Sequence, residues 1–358
     1  MCNLNCSYCY EYNMGNTSWK FKPKKLSLET FGKLCERIKE QFSNIKHKND
    51  IHMSFHGGEP CLRSPDFFEK AILLSKSILD NHCNVRFGMQ SNGTLLSKAH
   101  LEVFKKYNMT VGLSLDGDKE ANDRHRLDKK GLSTFNRVMD AIELLSSKEY
   151  ESLFGGILCV LDINNSPQKM YDFFSNLNIK TLDILEPEGN HTNLPPNKKD
   201  FYDTSYADWF IEFFDIWFNS KNQFYIRRFE EIIEMLIGGQ GSVEYFGTAP
   251  VNLITIATDG DYEAVDQMKS VYDGAEKLNL NVFNHSLNEV KQKNLIKSRL
   301  DTETVLSDIC KTCKYVSSCG GGYFPHRYGE NKNYKNPSIY CEDYKKLFSH
   351  IEKKINEA

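Results

Sequence analysis

Residues 51–60 read IHMSFHGGEP, an apolar run that ends in two glycines, a glutamate and a proline. A segment with helical period follows at Ser64–Asp80, and the same succession of an apolar, β-rich run and a helical segment recurs as far as Leu185. Such alternation predicts an α/β fold, in which a parallel sheet with helices outside forms an open or closed βα barrel. Right-handed crossovers would bring the C-terminal ends of all its strands to one rim, where such folds place their sites.

The repeat predicts five strands and four helices. The strand candidates are Ile51–His56, Asn84–Gln90, Thr110–Asp116, Phe154–Leu161 and Thr181–Leu185, and the helix candidates are Ser64–Asp80, Lys98–Tyr107, Thr134–Ser147 and Pro167–Leu177. A parallel barrel needs a strand before its first functional loop, yet the chain begins one residue before Cys2. Either the recorded start is an internal methionine or the first strand has been lost, and we favour the former.

The pattern changes after two prolines at 195 and 196. Phe201–Phe218 and Tyr225–Leu236 are predicted to be two long amphipathic, aromatic-rich helices without a strand between them. Residues 238–241 read GGQG, which predicts a break between elements, and the rest of the chain is turn-rich. We therefore expect a barrel at 1–196, a helical linker at 197–241 and a further domain at 242–358.

The composition excludes several classes of protein. The formal net charge is −3 over 358 residues, so no electrostatic case exists for nucleic acid as a partner. No run of about 18 apolar residues occurs, so no membrane span is expected. No leader of the secretory kind is visible. We therefore expect a cytoplasmic protein.

The eleven cysteines are many for a reducing compartment, where clustered cysteines more often bind metal or take part in catalysis than form disulfides. They fall into two groups, one made of Cys2, Cys6 and Cys9 and one made of Cys310, Cys313, Cys319 and Cys341. Cys35, Cys61, Cys83 and Cys159 are scattered between the groups. We interpret these four as packing residues, because free cysteine behaves as a small hydrophobe.

The first group has a C-x3-C-x2-C spacing. A cubane iron–sulfur cluster has four irons, so three thiolates leave one iron without a protein ligand, as in catalytic metal sites that keep an open position. A zinc knuckle is the alternative, but it needs a fourth Cys or His nearby. The next candidate, Cys35, lies in a segment of helical pattern. Tyr8, the aromatic residue before the third cysteine, also fits the iron–sulfur interpretation.

Together with residues 55–60 (FHGGEP), this opening resembles the radical S-adenosylmethionine (radical SAM) superfamily. The resemblance implies a partial (βα)6 barrel of TIM type and a 4Fe–4S cluster whose open iron binds the amino and carboxylate groups of SAM. It also implies cleavage of SAM to methionine and a 5′-deoxyadenosyl radical that abstracts hydrogen. Gly57 and Gly58 would let the ligand approach bare backbone, and Glu59 would accept a hydrogen bond from its ammonium group.

Further SAM contacts are expected at the ends of the next strands. Residues 90–94 (QSNGT) and 112–117 (GLSLDG) resemble the family's contacts to the ribose and methionine of SAM. Asn92, Ser114 and Asp116 would then face the rim, with Tyr8 among the cofactor-binding residues. Arg126 is the candidate for the SAM carboxylate, because a guanidinium matches a carboxylate fork.

The second group supplies four thiolates, enough for a whole cluster. Spacing alone leaves zinc open, because C-x2-C pairs are common in zinc sites, but beside a radical SAM motif we favour iron–sulfur. The segment resembles the SPASM domain of peptide-modifying radical SAM enzymes, which usually holds two auxiliary clusters with eight ligands. Tyr323 and Val265 stand where ligands would be, and no cysteine lies between Cys159 and Cys310. We therefore expect one auxiliary 4Fe–4S cluster.

Residues 319–328 (CGGGYFPHRY) and 336–341 (NPSIYC) resemble maturases of ribosomally made peptides, the FxsB-like and Xye-type subgroup, some of which form three-residue cyclophanes. The resemblance implies a precursor peptide as substrate and a reductant such as flavodoxin or ferredoxin. A β-carbon radical would add to an aromatic ring, and the auxiliary cluster would accept one electron. Asp266 is the candidate for the proton acceptor, from a resemblance to sulfatase-maturing enzymes; its alternative is a solvated turn carboxylate.

Several alternatives stay open. Anaerobic sulfatase maturation is the first, although the missing auxiliary ligands argue against it. Peptide epimerisation and thioether formation would use the same scaffold. His326 and Arg327 would bind substrate or the cluster environment, or brace the turn. A non-catalytic iron–sulfur or zinc protein has no evident use for residues 55–60, and a tRNA-modifying enzyme would need a basic face.

Overall fold

The computed structural model describes residues 1–45, 47–221, 224–241 and 244–357. Its larger sheet has six strands that pair in parallel and in chain order. They are β1 (Asn49–Phe55), β2 (Cys83–Ser91), β3 (Thr110–Ser114), β4 (Phe154–Val160), β5 (Thr181–Leu185) and β6 (Tyr225–Ile226). The predicted α/β fold with a parallel sheet is thereby confirmed.

Helices connect these strands and cover the sheet. They are α1 (Leu28–Phe42), α2 (Pro65–Leu79), α3 (Lys98–Tyr107), α4 (Lys119–His125), α5 (Phe135–Ser146), α6 (Pro167–Ser175), α7 (Ser205–Phe218) and α8 (Arg227–Leu236). Local chemistry sets their ends. Ser27 caps α1, because its side chain accepts a hydrogen bond from the backbone amide of Thr30. Prolines begin α2 and α6, at a position where a backbone N–H would have no partner within the helix. Asn108 ends α3 in the left-handed conformation at φ 53°.

The two helices predicted after the barrel both begin later than predicted. The first was expected from Phe201 and begins at Ser205, because the carboxylates of Asp200 and Asp203 accept hydrogen bonds from nearby backbone amides and hold the chain in a turn. The second was expected from Tyr225. Instead Tyr225–Ile226 pairs with β5 as the sixth strand, and α8 follows. The expectation of no strand between these helices was therefore wrong.

The aromatic faces of α7 and α8 are buried. The rings of Trp209 and Phe213 on α7 stack with centres 5.0 Å apart. The ring of Phe214 contacts that of Phe229 on α8, with centres 5.1 Å apart. The C-terminal helix α13 (Cys341–Glu357) packs against both α7 and α8. Four shorter helices precede it, α9 (Leu287–Lys291), α10 (Asn294–Leu300), α11 (Asp308–Lys311) and α12 (Val316–Cys319). Residues 197–241 therefore share one hydrophobic core with the barrel and with α13.

A smaller antiparallel sheet follows the barrel. Its strands are β7 (Thr255–Ile256), β8 (Asp261–Glu263) and β9 (Lys277–Asn281). It has a second core, in which Tyr262, Val265 and Phe324 are buried. Among the described residues, no helix combines the length and the apolar character needed to cross a membrane.

Candidate active site

The N-terminal cysteine loop lies against the carboxyl ends of β2 and β3. The backbone amides of Asn5 and Ser7 donate to the carbonyls of Leu127 and His125 at the end of α4, at 2.9 and 3.1 Å. The amide of Cys9 donates to the carbonyl of Cys6 at 3.1 Å, so the second and third cysteines share one tight turn. The predicted rim thus carries the predicted cysteine group.

The three thiols of this loop are partly buried. Burial raises the thiol pKa of Cys2 and Cys6, and raises that of Cys9 to about 12. A neutral thiol becomes a ligand only by giving up its proton to a metal, and iron–sulfur clusters are held by thiolates. Within the described part of the chain, no three His, Cys, Asp or Glu side chains lie as a single metal ion would need them. The all-sulfur donor set of the loop suits a cluster.

Glu59 is a buried acceptor at the start of this rim. Its Oε1 accepts from the amide of Cys61 and from Ser91 Oγ, both at 2.8 Å, and its Oε2 accepts from the amide of Asn92 at 2.8 Å. A carboxylate offers about four acceptor positions, so one remains for the ammonium group predicted to bind there. The Asn92 amide group also reaches the cysteine loop, lying 2.9 Å from Asn3 Oδ1 and 3.8 Å from Cys2 Sγ.

Tyr8, Asp116 and Arg126 form one buried network. The Tyr8 hydroxyl donates to Asp116 Oδ2 at 2.5 Å and accepts from Arg126 Nη1 at 2.7 Å, while Asp116 Oδ1 accepts from the amide of Val160 at 3.0 Å. Burial raises the pKa of Asp116, and Arg126 opposes that shift. Arg126 Nε has no hydrogen-bond partner among the described residues. The network joins the cysteine loop to β3 and β4, and it leaves one guanidinium N–H for the predicted carboxylate.

The two motif glycines have different surroundings. A Cβ at Gly58 would lie 2.4 Å from the carbonyl oxygen of Met1, so this position needs glycine for the approach of the N-terminal backbone. A Cβ at Gly57, at φ 74°, would meet no atom closer than Glu11 Oε1 at 3.7 Å. Of the two, Gly57 fits the predicted open approach to a ligand. Ser114 lies at the end of β3, where its Oγ accepts from Gln90 Nε2 at 2.9 Å.

Asp266 is buried between the cysteine loop and the end of β1. The hydroxyl of Tyr10, the residue after Cys9, donates to Asp266 Oδ2, and His56 Nδ1 lies 3.3 Å from the same oxygen. Only 3% of Asp266 is exposed, so its alternative interpretation as a solvated turn carboxylate is wrong. Nearby, Lys269 Nζ lies 2.8 Å from Glu11 Oε1 and fixes this turn to the cysteine loop.

The second cysteine group lines one cavity. Its walls include Cys310, Cys313, Cys319 and Cys341, with about 390 Å³ between the surrounding residues free of protein atoms and partly open to solvent. Burial raises the thiol pKa of Cys319 and Cys341 to about 12. Four thiols around one space are a donor set that fits a whole 4Fe–4S cluster.

Arg327 and His326 are buried beside this cavity. Arg327 donates through Nε to the carbonyl of Gly322 at 2.9 Å and through Nη2 to that of Gly320 at 2.6 Å. It therefore braces the glycine turn, one of the two predicted roles. His326 Nε2 lies 3.2 Å from Glu188 Oε2, and its side chain is fully buried.

The two positions that lack a cysteine are filled by packed side chains. Val265 is 1% exposed and belongs to the second core. Tyr323 is also 1% exposed, and its ring stacks on Tyr245 with centres 4.4 Å apart. At these two positions the chain offers no ligand for a second auxiliary cluster.

Comparisons with known proteins agree with this site. Residues 1–174 match the family model of the Radical SAM superfamily. The cysteine-type anaerobic sulfatase-maturating enzyme of Clostridium novyi (strain NT) is 28% identical over 367 residues, which cover 97% of this chain and 91% of the relative. The solved structure of native anSMEcpe with bound AdoMet has a TM-score of 0.84 at 25% identity and covers 100% of this chain and 95% of its own. Native anSMEcpe with bound AdoMet and Cp18Cys peptide has a TM-score of 0.81 at 24% identity, with coverage of 99% and 95%.

A parallel βα barrel with a three-cysteine loop on its rim defines an iron–sulfur enzyme of the SAM-cleaving class. Its residues 1–174 are similar to the radical SAM family, and the chain is an enzyme that uses S-adenosylmethionine and 4Fe–4S clusters. Over nearly its whole length it is similar to anaerobic sulfatase-maturating enzymes, the first of the alternatives weighed above.

Sequence reasoning missed the partners of Asp266. Tyr10 directly follows the third cysteine and His56 directly precedes Gly57, so both stand inside recognised motifs. Tyr10 is 256 positions away from Asp266, and no periodicity links residues that far apart.

Proposed function

We propose that the enzyme oxidises a side chain of a peptide substrate at its β-carbon by two electrons, as a cysteine-type sulfatase-maturating enzyme would. The observation that carries this proposal is the buried carboxylate of Asp266, held by Tyr10 and His56 next to the cysteine loop. The similarity to sulfatase-maturating enzymes over 97% of the chain supports it. A similar fold has also been solved with a bound peptide.

The proposed reaction needs a radical, an electron acceptor and a proton acceptor. The residues described above would hold SAM and the clusters, which would provide the radical for removal of a β-hydrogen atom and an acceptor for the electron released afterwards. One proton must also leave, and in this proposal Asp266 accepts it. His56 and Tyr10 fix the orientation of its carboxylate. For a cysteine side chain, loss of the β-hydrogen atom, one electron and the thiol proton leaves a carbon–sulfur double bond.

The parts of the chain are assigned accordingly. In this proposal residues 1–196 bind SAM through Tyr8, Gly57, Glu59, Asn92 and their neighbours on the rim. Residues 242–358 hold the auxiliary cluster, and 197–241 join the two through the core shared with α13. A cytoplasmic flavodoxin or ferredoxin would supply the reducing electron.

A second candidate is an intrapeptide crosslink, including a three-residue cyclophane in a ribosomally made precursor peptide. The buried Val265 and Tyr323 favour it, because they replace ligands that a SPASM domain with two auxiliary clusters would need. In that reaction the β-carbon radical adds to an aromatic ring, and the ring then loses one electron and one proton. Asp266 would accept the proton in this case too.

Mass spectrometry of peptides treated anaerobically with the cluster-loaded enzyme separates these candidates. One substrate is a cysteine-containing sulfatase peptide, and the other is a synthetic peptide in which an aromatic residue stands two positions before a residue with a β-hydrogen. Sulfatase-type oxidation leaves a carbon–sulfur double bond, and water then replaces the sulfur, which leaves as hydrogen sulfide. The resulting carbonyl is labelled by an aminooxy reagent, whereas crosslinking removes two hydrogens and maps to an aromatic residue.

The variant Asp266→Asn is expected to abolish either product, and Asp66→Asn, at an exposed carboxylate of α2, is the matched control. If SAM is cleaved but neither product forms on either peptide, the proposed function is wrong. Product at an unchanged rate from Asp266→Asn would contradict the role of that carboxylate.

A further inference from the structure

Arg327 is a buried cation next to the cavity of the second cysteine group. It is 4% exposed, and its guanidinium lies against Gly321, a residue that lines the cavity. A Cβ at Gly321 would lie 3.2 Å from Arg327 Cζ and 3.4 Å from its Nη1. A side chain at position 321 would therefore displace the charge from the wall of the cavity.

The charge of Arg327 is balanced by cysteine sulfurs rather than by a carboxylate. Glu244 is already engaged by Arg299, at 2.8 Å. Burial lowers the pKa of Arg327, and the thiolates of Cys319 and Cys310 oppose that shift more than Glu244 does. Because a buried cation is strongly unfavourable without a counter-charge, the arginine and the cysteine group stabilise each other.

A second cation at the cavity is less shielded. Lys345 also lines it, but its side chain is 38% exposed, and its Nζ pairs with Glu342 Oε1 at 2.7 Å. Solvent and salt screen an exposed charge, whereas a buried charge acts through a lower effective dielectric constant. Arg327 is therefore the stronger influence on the electrostatic potential inside the cavity.

Hydrogen-bond donors also reach the cysteine sulfurs. The buried hydroxyl of Ser307 donates to Cys310 Sγ at 3.1 Å. Burial raises the pKa of Cys319 to about 12, while the charge of Arg327 and a hydrogen bond from the backbone of Gly321 oppose that shift. All of these donors favour negative charge on sulfur.

Reduction would add negative charge to a cluster held in this cavity. The reduction potential of an iron–sulfur cluster depends on its net charge, on hydrogen bonds to its sulfurs and on its exposure to solvent. In the proposed function the substrate radical is oxidised by one electron and the auxiliary cluster is reduced by that electron. A buried guanidinium and a hydroxyl directed at sulfur both favour the added charge, so both shift the potential upward.

We propose that Arg327 and Ser307 raise the reduction potential of the auxiliary cluster, so that it accepts an electron rather than supplies one. Arg327 acts through its charge, and Ser307 acts through its hydrogen bond to Cys310. Both are positioning residues, since each acts through the cluster and its ligands. The direction of electron flow rests on the proposed function, whereas the potential itself is measured without any peptide.

A potentiometric titration of the cluster-loaded enzyme, followed by electron paramagnetic resonance without peptide or SAM, tests the proposal. The signal of Cys341→Ser, which is expected to keep the first cluster alone, is subtracted to isolate the auxiliary cluster. At a fixed potential Arg327→Met is expected to lower the ratio of reduced to oxidised auxiliary cluster at least tenfold, which is about 59 mV for a one-electron couple. Arg327→Lys keeps the charge and is expected to stay within about threefold of wild type.

Ser307→Ala is expected to lower the same ratio about threefold, since it removes one hydrogen bond to a ligand sulfur. Because Ser307 also caps α11, the matched control is Ser286→Ala, which removes a similar cap from α9, a helix packed against α1 and α10. The control is expected to leave the ratio unchanged. The first cluster is the internal reference in each sample, and its potential is expected to stay constant.

Unchanged ratios in Arg327→Met and Ser307→Ala, with both clusters loaded, would overturn the proposal. An equal fall in Arg327→Met and Arg327→Lys would overturn the role of the charge and assign the effect to the hydrogen bonds of the glycine turn. If Arg327→Met does not load the auxiliary cluster, Ser307→Ala decides, and a fall no larger than that of Ser286→Ala overturns the proposal. A lowered potential in an enzyme that forms no product on any peptide would support this inference while the proposed function fails.

Discussion

Gly58→Ala is the substitution whose effect the structure specifies most closely. Gly58 has φ 37°, and a Cβ there would lie 2.4 Å from the carbonyl oxygen of Met1 and 2.8 Å from the Tyr12 hydroxyl. The same carbonyl accepts a hydrogen bond from the amide of Glu59 at 3.0 Å. To admit the methyl group, the N-terminal segment beside Cys2 must move and this hydrogen bond must break.

The magnitude follows from these two losses. A non-glycine residue in the left-handed region costs roughly 1–2 kcal/mol. The lost hydrogen bond adds about 1 kcal/mol. Since each 1.4 kcal/mol is tenfold, a total of about 2–3 kcal/mol lowers the population of the native loop roughly 30- to 140-fold. The steric contact adds to this, so we expect poor loading of the first cluster and an intact auxiliary cluster.

Iron content and electron paramagnetic resonance of the two clusters are the assay. Gly131→Ala is the matched control, because Gly131 has φ 75° but no atom within 4 Å of its Cβ position. The control is expected to share the backbone strain and to load both clusters. Equal loading of the first cluster in Gly58→Ala and Gly131→Ala would refute the reasoning.

Three other predictions follow from burial and charge. Burial raises the pKa of Cys9 and Cys319 to about 12, whereas a cysteine in the unfolded chain has a pKa of about 8.5. The metal-free protein is therefore expected to lose stability as the pH rises above about 8.5, because only the unfolded state then loses these protons. Thermal melts from pH 7 to 10 check this. Lys198 Nζ pairs with Asp343 Oδ2 at 2.6 Å in the core, so Lys198→Met is expected to cost about 3–5 kcal/mol and to lower the melting temperature. Cys341→Ser is expected to lose the auxiliary cluster signal while SAM cleavage without peptide persists.

The sequence predicted the barrel because its strands and helices alternate over long segments. The pattern could not show β6, since a two-residue strand has no period and its pairing with β5 depends on a distant partner. Helix α1 precedes the first predicted strand and was not among the helix candidates, although its pattern had been noted around Cys35.

The site was predicted where its residues stand in motifs. The spacing of the cysteines indicated both groups, and Glu59 and Asn92 do meet at the rim. Motifs could not show that Gly58 makes room for backbone, because tertiary packing alone brings those atoms together.

Deuterium transfer from a peptide labelled at the β-carbon of its target residue into 5′-deoxyadenosine tests the central claim most directly. The wild-type enzyme is expected to transfer deuterium and to form product. Asp266→Asn is expected to transfer deuterium yet form no product, because hydrogen-atom removal precedes the proton transfer assigned to Asp266. Unlabelled 5′-deoxyadenosine formed alongside full product would contradict the account.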